Sequence, residues 1–289
     1  MSVEREDRQR TRILVRQDIL WLFIWLGGLA GLGLWDALFL NKPAFALVQT
    51  AFVNTLITCF LVVVMSLVLG WSVGVALYFL ESRSHFSYLP VTFVLNLVRS
   101  IPQIIGALIG YVILTIFIEQ EILLLSQLVW MALVISSLVF LEIVDLVKER
   151  IAYYNKLDFF HAMLCCGIKE GRIINHEILW KNSRAHLLHK LVSVFGAAIF
   201  LQCSIDFIVS VGLSTDVSLS NFPVTLGNLL AKLDSKQDIL AIGTSVTNIS
   251  HLPSLLFQHL QGISIAFIIV FTLISTYKIS NGLVKHYKL

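Results

Sequence analysis

The chain has 289 residues, of which 57% are hydrophobic and only 13% charged, with 21 Lys and Arg against 18 Asp and Glu. An average soluble domain carries about 25% charged residues, and a globule with so few would lack the groups to cover its surface. A water-soluble enzyme, a secreted disulfide scaffold and a disordered regulator are therefore excluded, and the composition is that of a polytopic membrane protein, which the long apolar runs below make all-α. The net charge of +3 is too small to imply a nucleic-acid partner.

A spanning helix needs roughly 20 apolar residues. The first such run covers 19–40 and follows a basic tail, 1–18, that holds Arg5, Arg8, Arg10, Arg12 and Arg16. Its length exceeds the roughly 7–15 residues of a signal core, so a retained anchor is expected, with a short outer loop to residue 47. The second run, 48–80, is longer than the bilayer core and should tilt or protrude. A polar break, 81–85, leads to an interfacial segment at 88–98. Third and fourth spans are predicted at 101–118 and 122–144. A polar loop, 145–190, separates them from a fifth span at 191–213. A mixed outer loop, 214–254, precedes the sixth span at 255–277, and a short basic tail covers 278–289.

Six spans place both termini on one side. On that side fall 18 of the 21 Lys and Arg, and the other three are Lys42, Lys232 and Lys236. This bias orients both tails and the 145–190 loop toward the cytoplasm. The Gly27/Gly31, Gly70/Gly74 and Gly106/Gly110 pairs have the spacing that lets helices approach closely.

Several chemistries have no residues to carry them. There is no GxxxxGK[ST] phosphate loop, no HExxH and no GxSxG. No metal site is expected, since His186 with His189, and His161 with Asp158, are pairs without further ligands. Cys59, Cys165, Cys166 and Cys203 form no ligand spacing and are read as small apolar fillers. Asp36, Glu142, Asp145 and Asp206 are the ionisable groups in or near spans, and Asp206 lies deepest. The chain is not expected to be an enzyme.

The most informative stretch is LDFFHAMLCCGIKEGRIINHEILWKNS, at 157–183, which reads as helix, glycine turn, helix. It resembles the coupling loop of the permease subunits of ATP-binding-cassette importers. On Gly167 as the motif glycine, the EAA positions fall on His161, Ala162 and Met163, and Ile178 and Leu179 fall on the motif's ending. His161 stands where the family has glutamate, and Trp180 where it has proline. VRSIPQIIGALIGYVIL, at 98–114, is similar to the family's RSIP segment, and 220–230 is similar to the outer loop of dipeptide and oligopeptide permeases.

The resemblance implies a type I importer permease fold: six transmembrane helices, a core at 48–277 and a cytoplasmic coupling helix. It implies a second permease subunit, similar or identical, two ATPase subunits that bind ATP and Mg, and an extracytoplasmic binding protein that delivers a peptide or similar small solute. No cofactor is expected in this chain itself. The membrane would be the cytoplasmic (inner) membrane of a prokaryote. ATPase coupling would fall to His161, Ala162, Gly167, Ile168, Lys169, Glu170, Arg172, Ile178 and Leu179. Asn54, Ser66, Arg99, Pro102, Gln103, Gln202 and Asp206 are candidates for lining the path, or for interhelical hydrogen bonds. The His161 and Trp180 departures support a second reading, a divergent scaffold or signalling subunit that transports nothing.

Overall fold

The computed structural model describes residues 17–83, 85–117, 124–212, 223–232, 243–244, 246–251, 253 and 260–287. Among them every regular element is helical. The helices are α1 (Gln17–Phe39), α2 (Lys42–Arg83), α3 (His85–Ser100), α4 (Gln103–Phe117), α5 (Leu124–Val139), α6 (Leu141–Asn155) and α7 (Asp158–Cys165). A single turn, α8 (Glu170–Arg172), runs into a π-helix (Ile173–Asn182), and α9 (Arg184–Gly212), α10 (Leu226–Lys232) and α11 (Leu260–Tyr287) follow. Four helices, α1, α2, α9 and α11, are long and apolar enough to cross a membrane. The pairs α3/α4 and α5/α6, bent by 95° and 45°, raise the number to six if each counts as one span. These features are compatible with a multi-pass membrane protein.

The two bends have different causes. Pro102 forces the first, because the residue before a proline is kept out of the helical region. Two serines prepare the second. Ser136 Oγ donates to Leu133 O (3.0 Å) and Ser137 Oγ to Val134 O (2.7 Å), a back-bonding that bends helices, and the chain turns at Phe140.

α2 is the axis of the bundle. Its 42 residues span about 63 Å at 1.5 Å per residue, twice the hydrocarbon thickness. Pro43 sits in its first turn, where a missing N–H costs nothing. α2 packs on α5, α6 and α9. At Gly70 and Gly74 the contact with α6 is so close that an added Cβ would meet Ile143 at 2.6 Å and Val147 at 2.7 Å. Gly106 and Gly110 serve α4 in the same way against Leu138 and Val134 of α5, whereas Gly27 and Gly31 face open space.

α1 and α11 run antiparallel along their length. Ser264 Oγ donates to Asp36 Oδ1 (2.6 Å) near one end, Trp25 Nε1 to Thr272 Oγ1 (3.1 Å) in the middle, and Gly282 touches the backbone of Asp18 at the other. The ends 17 and 287 of the described chain thus share one face of the bundle.

Three boundaries differ from those read in the sequence. The helix of the fourth predicted span does not stop at 144. It bends and continues through Asn155, because Ile143, Val147 and Ile151 recur every four residues and bury that face, leaving Lys148, Glu149 and Arg150 off it. The 145–190 segment is therefore a loop only at 156–183, and α9 starts at Arg184. The basic tail at 278–289 is helical through Tyr287, held by buried Leu283 and by the Gly282–Asp18 contact.

Candidate functional site

α2 carries polar side chains to two loops at opposite ends of the bundle. Toward its start, Asn54 Nδ2 donates to Val224 O (2.9 Å), and Thr55 Oγ1 accepts from Leu226 N (3.0 Å). Thr55 thereby satisfies one of the amides that the first turn of α10 leaves unpaired. From α9, the carboxylate of Asp206 accepts from Thr225 Oγ1 at 2.6 Å, with Tyr111 and Gln202 beside it. Cys59 Sγ donates to Gln202 Oε1 (3.1 Å). Asn54, Gln202, Asp206, Thr225 and Tyr111 are all buried. Taking a carboxylate out of water is costly unless donors surround it, and this arrangement supplies them. The close approach of α10 to α9 requires Gly227, where a Cβ would stand 2.4 Å from the carbonyl oxygen of Cys203.

At the far end of α2, Trp71 Nε1 donates to Asn175 Oδ1 (2.7 Å) and Tyr78 OH to Glu170 Oε1 (2.8 Å). Both partners belong to the 156–183 loop. α7 stops at Cys165, and Gly167 turns the chain with φ +77°, a left-handed conformation that glycine adopts without strain. The π-helix then carries four residues, Ile173, Ile174, Ile178 and Leu179, fully inside the bundle. They form two apolar doublets five positions apart, and the i to i+5 pitch of a π-helix places both doublets on one face. Burying such side chains stabilises the seat by roughly 1.5–3 kcal/mol each. Arg150 of α6 fixes the loop's exit through Ser183 Oγ (3.2 Å) and His186 Nε2 (3.2 Å). Lys181 and His176 hydrogen-bond Glu177 on the π-helix surface and hold its carboxyl below the usual range.

α7 sinks only Phe160 into the core, and the rest of its surface and the turn after it remain outside. His161, Ala162, Cys165, Cys166, Gly167, Lys169 and Arg172 are exposed, as are the apolar side chains of Phe159 and Leu164. Met163 and Ile168 lie half-buried on the core.

The residues expected to act as docking contacts thus separate. His161, Ala162, Gly167, Lys169 and Arg172 are available at the surface. Ile178 and Leu179 are not: both are inside the bundle, because they complete the doublet pattern of the π-helix. Glu170 is half-buried and engaged by Tyr78.

The candidates for path lining separate as well. Asn54, Gln202 and Asp206 share the buried cluster, whereas Ser66 is buried elsewhere on α2. Arg99, Pro102 and Gln103 are apart from them, exposed at the α3/α4 bend, where Arg99 pairs with Asp145 of α6. Nearby, Lys190 pairs with Glu142 at 3.0 Å. Most of the predicted outer loop, 214–254, is outside the described residues; 223–232 form the segment that packs on α2 and α9.

The sequence reading missed Thr55, Trp71, Tyr78, Tyr111, Asn175 and Thr225, since each acts across long separations. A tryptophan and a tyrosine seven residues apart, on one helical face near the polar end of a long apolar run, were the available signal for the inner contacts. Among the described residues no group of three or more His, Cys, Asp and Glu is placed to hold a metal ion. No protein-family model matches the chain, and no curated protein matches it at a significant level.

Proposed function

We propose that this chain is the membrane-spanning subunit of an ATP-driven transporter, importing a peptide or similar small solute delivered by an extracytoplasmic binding protein. A second permease subunit would complete the translocation path, and two soluble ATPases would bind at the loop end. The observation that carries the reading is the Gly167 turn. It leaves His161, Ala162 and the basic residues Lys169 and Arg172 outside, while Phe160 of α7 and the π-helix anchor the same loop inside the bundle. A surface helix with a buried root suits the transfer of force from a separate motor. Tyr78 and Trp71 join that root to α2, which reaches the Asp206 cluster at the other end. Alternating access would then follow as rigid-body rocking of helices around the cluster. The setting would be the inner membrane of a prokaryote, with both termini cytoplasmic.

A second reading has its own support. The buried polar residues of the cluster are engaged with each other and with loop backbone, as in a scaffold with no path to line. Purification from native membranes separates the two. An ATPase that co-purifies, and whose turnover rises with transported solute, supports the transporter. Co-purification with solute-independent turnover supports the scaffold. Replacing Gly167 with Val should abolish the ATPase association in either case, and full retention of the ATPase would refute the docking role of the loop.

A further inference from the structure

The α3/α4 bend leaves α3 nearly perpendicular to α4, at 95°. With α4 taken as the membrane-crossing arm of this pair, α3 would lie along the membrane surface. The side chains of α3 divide accordingly: Phe86, Leu89, Phe93 and Leu97 recur on one exposed stripe, while Tyr88, Thr92 and Leu95 lie half-buried on the bundle side. An exposed apolar stripe on a helix in this orientation is the pattern of a segment embedded at the boundary between acyl chains and headgroups.

Beside α3, α2 and α6 enclose a groove of about 330 Å³ lined by Tyr78, Glu81, Ser82, Lys148, Ile151, Ala152 and Asn155. Its floor is apolar, and its walls carry both signs of charge. Among the described residues Glu81 and Lys148 form no ion pair with each other. Lys148 Nζ donates to Tyr88 OH (3.3 Å) and stands 5.6 Å from that ring's centre, which ties the groove to α3. An ammonium has three donors, so two remain after this bond. Ser82 and Asn155 add neutral hydrogen-bonding groups to the same lining.

We propose that this groove binds the zwitterionic headgroup of an aminophospholipid, with the phosphate on Lys148 and the primary ammonium on Glu81. A primary ammonium can donate hydrogen bonds to a carboxylate, whereas a quaternary choline cannot, so the groove discriminates between ethanolamine and choline lipids. An anionic glycerol headgroup would satisfy Lys148 and place its diol against Glu81 without charge compensation. The acyl chains would leave along the exposed stripe of α3, with Phe86 and Phe93 in the acyl layer. The site depends on the membrane character of the chain, not on what it transports.

The test uses the purified full chain in nanodiscs containing equal parts of phosphatidylethanolamine, phosphatidylcholine and phosphatidylglycerol, with co-purifying lipid counted by native mass spectrometry. Phosphatidylethanolamine should be enriched about tenfold over phosphatidylcholine, the factor of one hydrogen-bonded ion contact. Lys148→Gln should loosen all three lipids alike, because each carries the phosphate that this side chain holds. Glu81→Gln should remove the preference for ethanolamine over both choline and glycerol while leaving lipid bound. Ser82→Trp, which fills the groove from its exposed rim, should remove both. Equal retention of the three lipids by the unaltered chain, or an unchanged ratio in Glu81→Gln, would overturn the proposal. So would release of the lipid by soluble glycerophosphoethanolamine at equal concentration, which would assign the groove to a soluble zwitterion.

Discussion

Asn54 and Tyr78 stand twenty-four positions apart on one unbroken helix, about 36 Å by its rise, and each holds a different loop. Asn54 grips the backbone of the 223–232 segment, and Tyr78 grips Glu170 at the root of the Gly167 turn. The two contacts report on opposite ends of α2 and can be tested separately.

Tyr78→Phe removes the donor to Glu170 and keeps the ring. A half-exposed hydrogen bond to a carboxylate is worth about 1 kcal/mol here, the low side for charged acceptors. Amide exchange across 170–182 should quicken by about fivefold, while exchange at 223–232 stays unchanged. Equal acceleration at both segments would mean global loosening and would remove Tyr78 as a local latch.

Thr225→Val is nearly isosteric but strips Asp206 of its 2.6 Å donor. The purified protein should lose about 1–3 kcal/mol, read as a lower melting temperature. Adding Asp206→Asn should recover part of the loss, because an amide tolerates a missing donor better than a buried carboxylate does. Asp206→Asn alone should leave assembly intact while altering transport. Additive losses in the double variant would show that the two side chains do not interact.

At Gly167 the space for a side chain is open, so any penalty comes from the backbone alone. The left-handed conformation costs most L-residues about 1–2 kcal/mol, and asparagine less. Protease resistance of the 158–170 region should therefore rank Gly above Asn, Asn above Ala, and Ala above Val. An alanine variant as resistant as the glycine parent would show that the turn does not need φ > 0.

Gly227→Ala places a methyl group against backbone rather than a movable side chain. α10 should lift from α9 at a cost of about 1–3 kcal/mol, the usual range for overpacking. Cys203, buried beneath it, should then react with maleimide at a measurable rate. Continued protection of Cys203 in a stable variant would contradict the close packing.

The sequence made some of this architecture legible and hid the rest for physical reasons. Apolar runs locate helices because lipid imposes length, and Pro102 announces its bend by removing a conformation. The bend at Phe140 carries no proline or glycine; its only trace is the Ser136–Ser137 pair. Gly167 was readable as a turn because glycine alone occupies that conformation freely. The motif resemblance sets Ile178 and Leu179 among the docking contacts, whereas the doublet spacing that buries them fits a π-helix. The Asp206 cluster was half visible: a deep carboxylate signals buried donors, but Thr225 and Tyr111 belong to distant segments brought together only by folding.

The thiols are already sorted by depth. Cys59 and Cys203 are shut inside, whereas Cys165 and Cys166 are open to solvent at the turn. A thiol-reactive fluorophore added to the unmutated protein would settle at that tip, and its colour or anisotropy would show, in real time, when something comes to rest there.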